Sequence, residues 1–292
     1  MSSSNGLFNK EIPKEELEWL IEDVRSIKLA NLDKGFIEYQ IKRAILKNPK
    51  ILKKILEAKK HSELRRSSVY KKFIKEIRRN CNIAYGMFIT KEYKKLNLYL
   101  NELERNPDSL EIYNKILSLH KSTKERLNNY DKIYKKVLDN KTKSILDIGS
   151  GLNIFSYPYI NRAVKYYAAD LDVDIIKRYF KIMSIRGKGI KVNLLDLEKV
   201  KFPKADVCFL FKVLESIDIK GHKNSENLIK KINCSRIVVS FSLKTLDNRE
   251  MKFQRRAWFE KMLNRLNYKF KSFKTENEIF YIVEKLLRSV AL

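Results

Sequence analysis

From Ser144 onward the chain alternates short apolar runs with amphipathic segments, and this alternation limits its possible folds more than any other feature. The runs are SILDIG, KYYAAD, KVNLLD, ADVCFLF and RIVVSFS, with helical patterns such as 173–185 and 224–232 between them. Strands alternating with helices imply a mostly parallel, doubly wound α/β sheet, because each helix carries the chain back to start a parallel neighbour. The end departs from the pattern. Helix-like 253–266 is followed by YKFKSFK and EIFYIVEK, separated by a short polar turn, which reads as a terminal antiparallel hairpin.

Upstream, the apolar period is helical. Residues 1–12 read as a loose tail. Pro13 starts a helix whose first turn holds Glu15 and Glu16, where carboxylates suit the positive end of the dipole. Leu17, Leu20, Ile21, Val24 and Ile27 repeat at helical spacing and give it one apolar face. Helical patterning continues through 42–79, Leu96–Leu103, Leu110–Leu119 and on to Val137. The change of period places a domain boundary near residue 140: an all-helical domain over 1–140 and a sheet domain over 141–292.

The chain of 292 residues carries 62 Lys and Arg against 35 Asp and Glu, a formal net charge of +27. A chain rich in Lys and Ile codons would be basic throughout, but here the charge is clustered. Residues 42–79 contain fifteen Lys or Arg against three Glu. Tyr70, Phe73, Ile74 and Ile77 supply a face to bury, leaving the cations outside. A run so one-sided repels itself unless an anion is present, so it points to RNA phosphate. Lys53, Lys54, Lys59, Lys60, Arg65, Arg66, Lys71, Lys72, Arg78 and Arg79 are the candidate RNA contacts.

Three cysteines, Cys81, Cys208 and Cys234, have no CxxC or other metal spacing. They are expected to be reduced thiols, with no metal site and no disulfide, and Cys208 to be core packing. MSSSNGLFNK has no apolar leader region, and no stretch approaches the length of a membrane span. A cytoplasmic protein without a membrane partner is expected.

The chemistry gathers at the ends of the apolar runs. Asp147-Ile148-Gly149-Ser150-Gly151 follows the first. Glycines at a first strand–helix turn let a ligand approach the backbone. Ile154 stands where a dinucleotide fingerprint needs its third glycine, and the leading Asp147 suits a cationic ligand better than a pyrophosphate. The second run ends in Asp170, placed to hold ribose hydroxyls. The third ends in Asp196-Leu197, placed to recognise an adenine. Any one acid could merely cap the next helix; three in register fit an adenosine-bearing ligand, S-adenosylmethionine. The terminal hairpin agrees, being a feature of class I methyltransferases with their Rossmann-like sheet.

The fourth run ends Phe211-Lys212-Val213-Leu214, without the Asn/Asp-Pro-Pro-aromatic motif that grips an exocyclic amine. No Pro-Cys pair supplies a covalent thiolate for cytosine C5. Lys212 also lacks the Asp expected for a ribose hydroxyl. A target that is already nucleophilic, such as guanine N7, remains natural, since its lone pair needs alignment but no general base.

Several motifs together resemble one family, the 16S ribosomal RNA (guanine-N7) methyltransferases of aminoglycoside resistance. His120-Lys121-Ser122-Thr123-Lys124-Glu125-Arg126-Leu127 is similar to the family's His-x-Ser-Thr-x-Glu-Arg-Leu segment, and Asp147 to Asn153 to its cofactor loop. Phe211-Lys212, Val239-Ser240-Phe241 with Lys244, Arg249 and Met251, Trp258-Phe259-Glu260 and Asn277-Glu278-Ile279-Phe280-Tyr281 also match. The resemblance implies that Arg126 holds the cofactor carboxylate, and that Asp147, Gly149, Gly151, Asn153, Asp170, Asp196 and Leu197 complete the cofactor site. It implies that Lys212 and Arg249 act at the target nucleotide, with Lys244 as a further RNA contact. A monomer acting on ribosomal RNA or the small ribosomal subunit, near the decoding site, is the expected outcome. Ser242-Leu243-Lys244-Thr245, Glu215 and Ile154 depart from the family pattern around the target pocket. Methylation of transfer RNA or of another ribosomal RNA atom, and a non-catalytic role in ribosome assembly, stay open. His120 is open between an interface residue and a direct RNA contact. Trp258 and Phe259 read as helix packing.

Overall fold

The computed structural model describes residues 12–25, 29, 32–84, 86–218, 221–245 and 249–285. The tail before residue 12 and Ile27 lie outside them. The chain forms two compact units, Met1–Ile89 and Thr90–Leu292.

The first unit is helical: α1 (Lys14–Val24), α2 (Lys34–Lys47), α3 (Pro49–Glu57), α4 (His61–Arg66) and α5 (Ser68–Ala84). Asp33 caps α2 by accepting from the Phe36 amide at 3.0 Å, and Pro49 opens α3 where an amide hydrogen is not needed. Leu20, Ile37, Ile41, Ile55 and Ile77 are fully or almost fully buried in its core, and Tyr70, Phe73 and Ile74 join them. The ten candidate cations of α3 to α5 are all exposed. The 42–79 stretch is thus several short helices with one apolar side each, not one continuous helix.

The second unit begins with α6 (Leu96–Arg105), α7 (Leu110–Leu117), α8 (Lys121–Arg126) and α9 (Tyr130–Val137). These helices pack on the sheet that follows. Leu100, Ile116, Tyr130 and Ile133 share one core with Ile145, Val207 and Phe209 of the strands. The division therefore falls between Ile89 and Thr90, not near residue 140. The change of apolar period marks where the sheet starts, but a core closes only where apolar faces stop being shared.

Seven strands follow: β1 (Ser144–Ile148), β2 (Lys165–Asp170), β3 (Gly187–Lys191), β4 (Ala205–Phe211), β5 (Cys234–Ser242), β6 (Lys269–Lys274) and β7 (Glu278–Glu284). Their order is β3-β2-β1-β4-β5-β7-β6. The first five are parallel, and β7 inserts antiparallel between β5 and β6, with Ser242 opposite Glu278. This is the doubly wound sheet with a terminal hairpin. Helices α10 (Asp174–Met183), α11 (Leu214–Ile217), α12 (Lys223–Lys231) and α13 (Ala257–Arg265) complete the unit.

Alternate residues of each strand feed two cores. Ile145, Val207, Phe209 and Phe280 face the α6–α9 side. Leu146, Ile148, Cys208, Leu210 and Tyr281 face the side that holds Leu228 of α12 and Phe259 of α13. Cys208 is core packing, as expected. KVNLLD is not the third strand: β3 ends at Lys191, because Asn193 turns the chain by accepting from the Leu195 amide at 3.0 Å. Asp196 then precedes a short 3-10 helix over Leu197–Lys199 instead of ending a strand.

Candidate active site

The carboxyl ends of β1, β2 and β4 meet where the strand order reverses, the place at which open α/β sheets bind ligands. β1 ends in the loop Gly149–Gly151. Gly149 has φ +68°, and a methyl group there would lie 2.6 Å from Val213 Cγ2, so only glycine fits. Gly151, at φ +46°, has open space instead, with His120 Nε2 4.0 Å from where its Cβ would be. The Gly151 amide donates to Asp170 Oδ2 at 2.8 Å, which ties the ends of β1 and β2 together. Burial raises the Asp170 carboxyl to about 6, although amide donors from Gly151 and Asp172 pull it down.

Behind the loop lies a buried polar network. Arg126, 2% exposed at the end of α8, donates Nε to Glu278 Oε1 at 3.0 Å and Nη1 to Asn153 Oδ1 at 2.7 Å. Its Nη2 bonds Ser122 Oγ, and its guanidinium carbon stands 4.9 Å from the centre of the Phe211 ring. Burial disfavours the guanidinium charge, but the Glu278 carboxylate, with smaller contributions from Tyr130 and Tyr134, holds its pKa above the ordinary value. Asn153 donates Nδ2 to Asp147 Oδ2 at 3.0 Å, and Tyr166 donates to the same oxygen at 2.7 Å. Burial pushes the Asp147 carboxyl up, against these two bonds.

Lys212 directly follows β4 with φ +60°, an uncommon conformation for a side-chain-bearing residue. Only 8% exposed, it pairs with Glu125 and lies 3.6 Å from Glu278 Oε1. Glu278 also accepts from Ser240 Oγ at 2.5 Å. One fully buried carboxylate therefore serves both Arg126 and Lys212. His120 is held down to about 3, chiefly by burial and then by the charges of Arg126 and Lys212, so its imidazole is neutral.

The candidate residues separate by environment. Gly149, Gly151 and Asp170 lie together at the carboxyl edge of β1 and β2. Arg126, Asp147 and Asn153 lie together behind it, and the Asn153 amide is engaged on both sides, its Oδ1 also accepting from Tyr130 at 2.9 Å. Asp196 follows β3 and Leu197 opens the short 3-10 helix after it, with the Asp196 amide on Asn193 O at 3.0 Å. Lys244 pairs with Glu276 at 3.5 Å, and Arg249 is exposed in the return from β5. In the first unit Arg65 is held by Asp23 at 2.7 Å, whereas Lys54, Lys59 and Lys60 carry no ion pair among the described residues. Phe259 is fully buried and Trp258 stacks on His222 with centroids 3.7 Å apart, so both are packing residues. Glu278, Glu125 and Ser240 had no role assigned from sequence, although a lone acid opening the apolar run EIFYIV was a usable signal.

The set suits a ligand of the expected kind. An open cradle lies over Gly151, the carboxylate of Asp170 stands at its edge, and the guanidinium of Arg126 has donors left over. A family model described as ribosomal RNA methyltransferase (FmrO) matches residues 104–282. The chain belongs to this family. The matched residues span the whole buried network from Ser122 to Glu278. The 16S rRNA (guanine(1405)-N(7))-methyltransferase of Proteus mirabilis is 28% identical over 240 residues, 74% of this chain and 85% of that protein. The enzyme of the same name from Micromonospora rosea is 23% identical over 225 residues, covering 73% and 82%. Among solved structures, the 16S rRNA methyltransferase RmtF in complex with S-adenosyl-L-homocysteine superposes with a TM-score of 0.72 at 20% identity, covering 94% of this chain and 99% of that one. It shares the fold. Among the described residues, no helix is long and apolar enough to cross a membrane.

Proposed function

We propose that this enzyme transfers a methyl group from S-adenosylmethionine to guanine N7 in 16S ribosomal RNA, near the decoding site. The observation that carries this reading is the buried carboxylate of Glu278, shared by Arg126 at the cofactor end and Lys212 at the target end. The names of the curated relatives support the base and the atom.

When bound, S-adenosylmethionine supplies an electrophilic methyl on a sulfonium centre. Gly149 and Gly151 admit it to the backbone, Asp170 accepts from its ribose hydroxyls, and Asp196 with Leu197 recognises the adenine. Arg126 meets its carboxylate, while Asp147 and Asn153 fix the loop and the guanidinium from behind. Lys212 and Arg249 orient the target nucleotide, and Lys244 adds a phosphate contact. Guanine N7 keeps its lone pair in the base, so the residues need to align it and exclude water, not remove a proton. The exposed cations of α3 to α5 dock on folded RNA, as the clustering of charge in 42–79 supports. The enzyme works as a monomer in the cytoplasm on the small subunit or its RNA.

The test is methyl transfer from radiolabelled S-adenosylmethionine to purified small ribosomal subunits, followed by nucleoside analysis. Labelled 7-methylguanosine in the decoding-site helix is expected. Label on another nucleoside overturns the choice of atom, and label on transfer RNA alone overturns the choice of substrate.

A further inference from the structure

Between β5 and α13 lies Phe253, with 76% of its surface exposed. No other large apolar side chain among the described residues is as exposed. Single exposed apolar residues are common on protein surfaces. This one differs in how firmly its backbone is held.

Arg256, 7% exposed, donates Nη1 to Phe253 O at 3.2 Å and Nη2 to Ser242 O at 2.6 Å. It also bonds Glu215 Oε1 at 3.0 Å. The Met251 amide donates to Leu243 O at 2.8 Å, the Arg256 amide to Tyr281 Oη at 3.0 Å, and Lys274 Nζ to Gln254 Oε1 at 2.6 Å. The backbone on both sides of Phe253 is therefore anchored while its ring stands in solvent. Glu215 lies three residues after Lys212, so these bonds fix the segment at the ends of β4 and β5, beside the target end of the site. The ring also has cationic company. Lys252 is exposed, has no ion pair among the described residues, and holds its Nζ 5.7 Å from the ring centre.

We propose that Phe253 is a stacking platform for an unpaired base of the RNA, next to the target nucleotide. A flat apolar face with a cation beside it matches a nucleotide, whose base offers a π-face and whose phosphate offers charge. A protein partner would need a contiguous apolar patch, and the neighbours Lys252, Gln254 and Arg255 do not supply one. A base taken out of its helix loses its stacking partners, and a fixed ring at the rim of the site replaces one of them. The proposal rests on RNA being the substrate but not on which RNA or which atom is methylated.

The experiment measures binding of a mixed-sequence single-stranded oligoribonucleotide to the full chain and to Phe253→Ala, Phe253→Leu and Phe253→Trp. Ultraviolet cross-linking with peptide mapping accompanies it. Phe253→Ala and Phe253→Leu should each weaken binding on the order of tenfold, and Phe253→Trp should keep it. The wild-type adduct should map to Phe253. Wild-type affinity in Phe253→Leu, or adducts that map elsewhere with none at Phe253, overturns the proposal. Because the probe is not 16S RNA, a failure of the 16S assay leaves this result standing, and the reverse holds too.

Discussion

Arg126 and Glu278, 152 residues apart in sequence, form a 3.0 Å ion pair in which the two side chains are 2% and 0% exposed. Removing one partner of such a pair leaves an uncompensated buried charge, which costs about 3–5 kcal/mol. Glu278→Ala should therefore lower the melting temperature by about 10 °C. Glu278→Gln, which keeps the shape and the Ser240 bond, should lose less stability but still weaken cofactor binding and methyl transfer. Thermal unfolding beside cofactor titration separates the two effects. An unchanged melting temperature in Glu278→Ala would mean the pair does not stabilise the fold.

Asp170 titrates near 6, against 3.8 for an ordinary aspartate. Its ionised form is the better acceptor for ribose hydroxyls. Cofactor affinity should stay level above about pH 7 and fall as the pH drops through about 6, approaching tenfold per unit. Stability of the free protein runs the other way. Between about pH 4 and 6 the folded chain holds a proton that the unfolded chain has released, so this group's contribution declines as pH rises across that window. Asp170→Asn should flatten both profiles, as calorimetric titration and melts across pH would show.

Gly149→Ala places a methyl 2.6 Å from Val213 Cγ2 at φ +68°. Backbone strain alone costs about 1–2 kcal/mol, and the clash displaces Val213 beside Lys212. Cofactor affinity and transfer should both fall. Gly151→Ala carries the strain without the clash, so it should be the more stable of the two variants in a thermal melt.

Replacing Lys53, Lys54, Lys59 and Lys60 with glutamine should flatten the dependence of log affinity for RNA on log salt, by about 0.9 for each phosphate no longer neutralised. Arg65→Gln is a different case, since Asp23 already holds that guanidinium and the change should register in the stability of the helical unit. A slope that does not move with the four lysines would take this surface away from RNA.

Arg249→Ala should reduce methyl transfer while leaving cofactor affinity close to wild type, because Arg249 is exposed after β5 and, among the described residues, makes no bond to the network around Arg126. An equal loss of cofactor binding would refute that separation of roles.

The strands were legible because burial on two faces demands nearly continuous apolar runs, as in ADVCFLF. The rim was legible for a related reason: Gly149 and Asp170 close successive runs, so their place at one edge follows from topology. KVNLLD misled because its apolar residues lie past a turn set by Asn193, a side-chain-to-backbone bond without a period. The boundary at 140 misled because α6 to α9 look like the helices before them, and what they pack against is a tertiary fact. The setting of Asn153 was not legible, because the direction of its amide depends on Arg126, Tyr130 and Asp147, which sequence proximity does not bring together. Glu278 was visible as a residue but not as a partner, since nothing near it in sequence names Arg126.

The insertion of β7 between β5 and β6 also sets a timetable. A chain made from its amino end can form β1 to β5 and the glycine loop while still attached to the ribosome that is making it. The carboxylate that joins Arg126 to Lys212 arrives only with the last strand. Until β7 emerges and docks, those two cations lack their shared counter-charge and the network is incomplete. A chain built in this order completes its buried polar network only once β7 has docked between β5 and β6.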